Sequence, residues 1–338
     1  MAVQAPDPVR QSLVLATTVL TPLEGIGSRA EAAGYHGLWT TEFQGRDAIL
    51  RATVLGQSTS TLRVGSGIAY AFTRSPLALA ATALDAQEVC GGRFTLGLGA
   101  GTRGLRRAYG AEFDPPATRL AELVGELRAI WARPDWLRDV APPPIAIAGV
   151  NEAMLRVAAH HGDRVVLHPL CIVEAHLAQR VLPGLAAGTA RRESGPPGLS
   201  AWCIASVAAD PQVARERARK QLAFYLSTPG YRAVFDGTEF EAQAGAIREG
   251  FAQSPTPDWD ALSRLVPDDL LDQVSVTGTP EQARDSAARM RERLGAVGID
   301  ELVYQTVDAG SSATDTVVGI NLVVDTFAPA SPARWEST

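Results

Sequence analysis

The chain has 338 residues, 46% of them hydrophobic and 20% charged, with a formal net charge of −6. Such a length suits one decorated domain of the ~250-residue barrel class better than two domains, and it can bury a core without disulfide staples. Its arginines are dispersed over helices and its one lysine is Lys220, so the clustered cations that a nucleic-acid partner needs are missing.

Short apolar runs alternate with helical patterns along most of the sequence. Ser12–Val19 is expected as a first strand, and Pro22–Ala33 as a helix that Gly34 ends. His36–Thr41 follows as strand two, then a helix over Ala48–Ser58, then strand three over Leu62–Ala71. Ser75-Pro76 supplies an N-cap and a first-turn proline for a helix that runs to Gly91-Gly92. Arg93–Leu98 is strand four. Pro116–Trp131 is an amphipathic helix with Leu120, Leu123, Val124, Leu127, Ile130 and Trp131 on one face. Ile145–Ala148 is strand five, Glu152–His161 a helix, Arg164–Leu167 strand six, and Ile172–Arg192 a helix. Ala201–Ala208 is strand seven, before a long helix from Pro211 to about Ser227. The pattern weakens over 228–273, where helices and loops decorating the domain are expected. The helix after Thr279-Pro280 places Ala283, Ala287, Met290, Leu294 and Val297 on one face. Glu301–Thr306 is strand eight, Thr314–Phe327 a closing helix, and 329–338 a frayed tail.

Eight strand–helix repeats imply parallel strands joined by helical crossovers, and the fold expected is a single (β/α)8 TIM barrel over 1–338. An open doubly wound sheet competes; the even strand count and the lack of a division into halves favour closure. Cys90, Cys171 and Cys203 are scattered and odd in number, which suggests reduced core thiols and a cytoplasmic protein. The opening residues lack a signal-peptide pattern, and no apolar run approaches the ~18 residues of a membrane span.

In such a barrel the chemistry lies at the carboxyl ends of the strands. Those positions hold Glu42 after strand two, Ser66-Gly67-Ile68 and Tyr70 at strand three, and Gly99-Ala100-Gly101-Thr102 after strand four. They also hold Gly149-Val150-Asn151 after strand five, His168 after strand six, and Gln305 in strand eight. Few of these residues are ionisable. No nucleophile elbow, zinc motif or phosphate-binding P-loop is present, and His160-His161 point in different directions on a helix. Glycine-rich ends with so few reactive groups suit an organic cofactor that carries the reaction, and no metal is expected. Asn151 reads either as a helix cap or as part of a phosphate site at a helix start. Gly97–Gly101 is a weak match to a dinucleotide turn.

Four stretches resemble the luciferase-like oxidoreductases, specifically their branch dependent on the deazaflavin coenzyme F420. They are 30–42 (AEAAGYHGLWTTE), 65–68 with 74–77 (GSGI and RSPL), 91–99 (GGRFTLGLG) and 144–149 (PIAIAG) followed by Gly162-Asp163. The stretch 224–231, with Tyr225 and Tyr231, also resembles this branch. The resemblance spans nearly all of 10–305. It implies a homodimeric barrel with a non-prolyl cis peptide at Gly67–Ile68 behind the deazaflavin's central ring. It places Glu42, Ser66, Gly67 and Ile68 near the ring, Gly99, Ala100, Gly101 and Thr102 along its edge, and Gly149, Val150 and Asn151 at the phosphate.

Two departures from the family refine these expectations. The histidine that often follows the strand-two acid is replaced by Phe43, which disfavours alcohol oxidation and favours reduction, with Glu42, Tyr70, His168 or water as proton donor. The connection from Trp131 to Pro144 is short, which implies an open site for a bulky peptide or polycyclic natural product. The reading is therefore an F420-dependent reductase of a C=C or C=N bond. A reduced-FMN monooxygenase and a non-catalytic cofactor-binding barrel are the alternatives.

Overall fold

The computed structural model describes residues 9–17, 20, 23–111, 115–307 and 313–329. The expected end of strand one at 18–19, Pro22 and the tail from 330 lie outside them. Ten parallel-paired strands occur: β1 (Arg10–Leu15), β2 (Gly37–Thr40), β3 (Arg63–Ser66), β4 (Ala69–Tyr70), β5 (Phe94–Gly99), β6 (Ile145–Gly149), β7 (Arg164–Leu167), β8 (Gly198–Val207), β9 (Ser275–Gly278) and β10 (Glu301–Thr306). Pairing runs β10-β1-β2-β3-β5-β6-β7-β8, and β8 pairs back to β10 with Leu302 opposite Ala201. The sheet is thus closed, and with helices between successive strands it forms a (β/α)8 barrel.

Alternation along the strands separates two layers. Outward residues such as Leu13, Leu38, Leu96 and Leu302 join the large core beneath the helices, while Val14, Trp39, Ala146, Val166, Trp202 and Val303 form a compact cluster of their own. The helices turn matching stripes inward; Leu120, Leu123, Val124, Leu127 and Trp131 are the buried residues of Pro116–Trp131. Ser75 caps its helix as expected, and Thr279 forms a full capping box with Gln282. Val297 falls beyond the helix end at Gly295 and is exposed.

Apart from an added short helix, Arg103–Ala108, three elements differ from the pattern of apolar residues. The apolar run of strand three is interrupted by a cis peptide at Gly67–Ile68, the bond at which the family resemblance implies one, leaving β3 and β4 on either side. At the interruption the Ser66 hydroxyl donates to the Gly97 carbonyl and accepts from its N–H, both at 2.9 Å, substituting for ladder bonds. Gly97 has no alternative there, because a Cβ would lie 1.7 Å from the Ser66 carbonyl oxygen.

The expected helix 172–192 is broken into a 3-10 turn (Pro169–Ile172), a short α turn (Glu174–His176), a π segment (Leu177–Val181) and a helix (Leu182–Thr189). Pro183 supplies no N–H for an α-type bond to Gln179, and Leu182 N–H bonds Leu177 instead.

The third difference is β9, which lies between the decorating segment 228–273 and the helix after Thr279-Pro280, where no element is expected. Residues 198–201 of β8 pair with β7, and 204–207 pair with β9. Since Ile204 and Ala205 also pair with β10, β9 occupies the edge of β8 that β7 has vacated at His168. The decorating segment itself carries helices Glu241–Ala252, Trp259–Ser263 and Asp268–Val274.

Candidate active site

At the carboxyl ends of β2 to β5 the candidate residues converge. Glu42 follows β2, is nearly buried, and donates its backbone N–H to the Ile68 carbonyl at 3.3 Å, tying it to the bulge. Arg74 grips its carboxylate with both terminal nitrogens, at 3.2 and 3.1 Å. Arg74 also bonds Asp47, which caps the helix Ala48–Gln57 through Leu50 N–H. Burial pushes the Glu42 carboxyl above its ordinary range, and Arg74 opposes that rise.

The glycines after β5 are explained by packing against the chain's own side chains. A Cβ on Gly99 would lie 2.6 Å from Ile68 Cδ1, and one on Gly101, whose φ is +65°, 3.2 Å from the Tyr70 ring. Tyr70 meets Tyr109 edge-on at 5.4 Å, and burial raises its phenol well above the usual range. Thr102 accepts from Leu105 N–H and caps a short helix, Arg103–Ala108, that the sequence reading missed for want of any apolar face. A recess of about 420 Å³ opens beside Glu42, lined by Phe43, Arg46, Arg51, Arg74 and Tyr109 among others.

A second group gathers at β6 and β7. Gly149 lets β6 run onto the first turn of Glu152–His161, since a Cβ there would lie 3.0 Å from Leu155 N. Asn151 accepts from Met154 N–H at 3.0 Å, which fulfils the cap reading and leaves the earlier first-turn N–H groups facing outward from the helix end. His168 begins the turn after β7. Its Nδ1 accepts from Leu170 N–H at 3.2 Å, and burial pushes its pKa down to about 3, so the ring is neutral with its proton on Nε2.

Tyr225 and Tyr231 pack on the His168 ring at 4.4 and 4.7 Å. Tyr225 donates to Gln305 Oε1 at 2.8 Å. The sequence had shown these tyrosines only as family-like residues, and a helix end followed by Thr-Pro gave no sign that they would reach across to β7. Tyr231 lies in the turn Pro229–Val234, so the start of the segment after 228 packs on His168 at the end of β7. The recess lies on the other side of the mouth, beside Glu42.

Buried polar atoms show what the mouth could hold. Thr41 Oγ1 beside Glu42 and Ser206 Oγ on β8 are buried without a hydrogen-bond partner, as is Trp202 Nε1 deeper in the barrel. With the backbone donors after β6, they fit a flat polar ligand that carries an anionic group. Among the described residues no His, Cys, Asp or Glu side chains gather in threes as metal ligands, and no helix is long and apolar enough to cross a membrane.

Comparison with known proteins adds four findings. Residues 2–297 match the family model described as luciferase-like monooxygenase. An uncharacterized protein of Mycobacterium tuberculosis is 30% identical over 277 residues, covering 73% of this chain and 80% of that one. The 5,10-methylenetetrahydromethanopterin reductase of Methanolobus tindarius is 26% identical over 294 residues, 81% of this chain and 86% of its own. The solved coenzyme F420-dependent tetrahydromethanopterin reductase from Methanopyrus kandleri shares the fold, with a TM-score of 0.73 at 18% identity over 94% and 98% of the two chains.

Proposed function

The chain belongs to the luciferase-like monooxygenase family, and within it we propose an F420-dependent reductase that saturates a C=C or C=N bond of a bulky substrate. The observation that carries this reading is the pairing of a buried acid at the strand-three bulge with backbone donors at the start of Glu152–His161. The similarity to a named reductase over four-fifths of the chain supports the direction of reaction.

Reduced F420, when bound, supplies a hydride. The N–H groups of Val150 and Asn151 and the first turn of the helix would hold its phosphate. Gly67–Ile68 would back the ring, with Ser66 fixing the bulge from behind and Gly99, Ala100, Gly101 and Thr102 forming the adjoining wall. Glu42, whose carboxyl keeps its proton to higher pH than an exposed one, would donate a proton to the substrate atom that becomes negative. Neutral His168 offers a hydrogen bond from Nε2 but no proton at neutral pH. Tyr70, with its raised phenol pKa, likewise acts as a hydrogen-bond donor. The recess beside Glu42 leaves room for substrate bulk. We propose a homodimer in which a second copy covers Leu50 and Leu77, large apolar residues left 56% and 52% exposed on adjoining helices; a monomeric mass by light scattering would remove that proposal.

Fluorescence titration with oxidised F420 and, in parallel, FMN tests the cofactor. Selective micromolar binding of F420, followed by turnover of an unsaturated substrate with the reduced coenzyme, is expected. Preference for FMN with oxygen consumption would instead identify a monooxygenase, and binding of neither a non-catalytic barrel.

A further inference from the structure

The loop Gly149–Val150–Asn151 is braced from behind by two buried side chains. Cys171 Sγ lies 3.3 Å from the Gly149 carbonyl oxygen, and His176 Nε2 lies 3.1 Å from that of Val150. Cys171 has no exposed surface and His176 is 5% exposed. Burial lowers the His176 pKa and raises that of the Cys171 thiol to about 12. A neutral thiol and imidazole are both donors to a carbonyl.

Direction follows from peptide geometry. The bonds after Gly149 and Val150 are trans, so each N–H points opposite to the carbonyl of its own peptide. Holding the two carbonyls against Cys171 and His176 turns Val150 N–H and Asn151 N–H away from both. The same two peptides turned over would present lone pairs where an anion must sit. Asn151 Oδ1 is held by Met154 N–H, which fixes this side chain as the helix cap. The brace is also joined to the catalytic face, since Cys171 N–H donates to the His168 carbonyl at 2.7 Å within one 3-10 turn.

We propose that Cys171 and His176 are positioning residues that hold the 149–151 loop with its N–H groups aimed at a phosphate. This rests on the cofactor reading above and adds to it a dependence on two side chains that never touch the ligand. A plain core role for both residues makes a different prediction. It would weaken every ligand alike, whereas a phosphate-aiming role weakens only those that carry phosphate.

The test titrates the full-length protein with F420 and with its phosphate-free fragment, 8-hydroxy-5-deazariboflavin. Cys171→Ala and His176→Leu are each expected to weaken F420 roughly tenfold, the effect of one lost hydrogen bond, and to leave the fragment's affinity unchanged. Cys171→Ser and His176→Gln, which restore a donor, should recover most of the loss. Should the alanine variant fail to fold, Cys171→Val keeps the volume without the donor. Equal loss for both ligands, or loss for neither, overturns the proposal. If wild type binds F420 no better than the fragment, the cofactor reading stands and this inference falls. FMN and riboflavin make the same comparison if FMN is the cofactor, and a wild type that binds none of the four overturns both.

Discussion

Burial and a cation pull the Glu42 carboxyl in opposite directions, and burial prevails. Because the folded carboxyl holds its proton to higher pH than the unfolded one, its stabilisation is complete below the unfolded-state pKa and is lost as pH rises through the folded value. In urea denaturation, Glu42→Gln should therefore gain on wild type as pH rises from about 4 to about 7. A difference that does not change over that range would mean that Arg74 keeps the group ionised throughout. His168 runs the other way. Its folded pKa is pushed down to about 3, so the unfolded chain takes up a proton first, and stability falls as pH drops below about 6.5. His168→Gln should flatten that acid limb. A His168 ring proton titrating near pH 6.5 by NMR would contradict the neutral ring. Both residues were legible in the sequence as lone ionisable groups at strand ends. Their opposite titrations were not, because those depend on burial by parts of the chain distant in sequence, such as Tyr225 and Tyr231 against His168.

At the scale of elements, the join between β3 and β5 shows what one-dimensional pattern conveys. Leu62–Ala71 reads as one apolar strand, and Leu62, Val64, Ala69 and Ala71 do join the core beneath the helices. The break at Gly67 has no signature in hydrophobic period; only the family resemblance placed it. The compensation is tertiary: the Ser66 hydroxyl bonds both backbone groups of Gly97. Ser66→Ala should cost about 1–3 kcal/mol, since it leaves a buried donor and a buried acceptor unpaired. Gly97→Ala should cost more, about 3 kcal/mol or above, because its Cβ would collide with backbone that cannot swing aside. Chemical denaturation ranks the two. If Gly97→Ala were the milder, the bulge would have to be more compliant than its contacts indicate. A similar limit hid β9. Ser275–Gly278 is four residues long and exists as a strand only because β8 outruns β7, a difference in length that no local pattern records.

For the whole molecule, the strand–helix rhythm was enough to suggest a barrel, but closure depends on contacts between the first and last strands. Glu301 stands at that seam on β10. Its carboxylate accepts from Ser12 on β1 and Ser200 on β8, lies 3.4 Å from Trp39 Nε1 on β2, and pairs with Arg164 on β7 at 3.3 Å. One side chain thus ties four other strands at the amino-terminal end of the barrel, opposite the candidate site. Despite burial, Arg164 and the hydroxyls lower its pKa to about 2. Its stabilisation is therefore present above the ordinary carboxylate pKa and is lost as pH falls toward about 2. Glu301→Ala leaves the half-buried Arg164 with Asp300 alone and strands the buried Ser12 and Ser200 hydroxyls, and should cost about 2–3 kcal/mol at neutral pH. Glu301→Gln keeps the volume and part of the hydrogen bonding, so it should cost less and remove the acid-side loss contributed by this group. Equal costs for the two variants would assign the seam's strength to charge alone. A smaller cost for alanine would mean that the barrel closes by strand pairing and packing, with the buried carboxylate contributing little to holding its ends together.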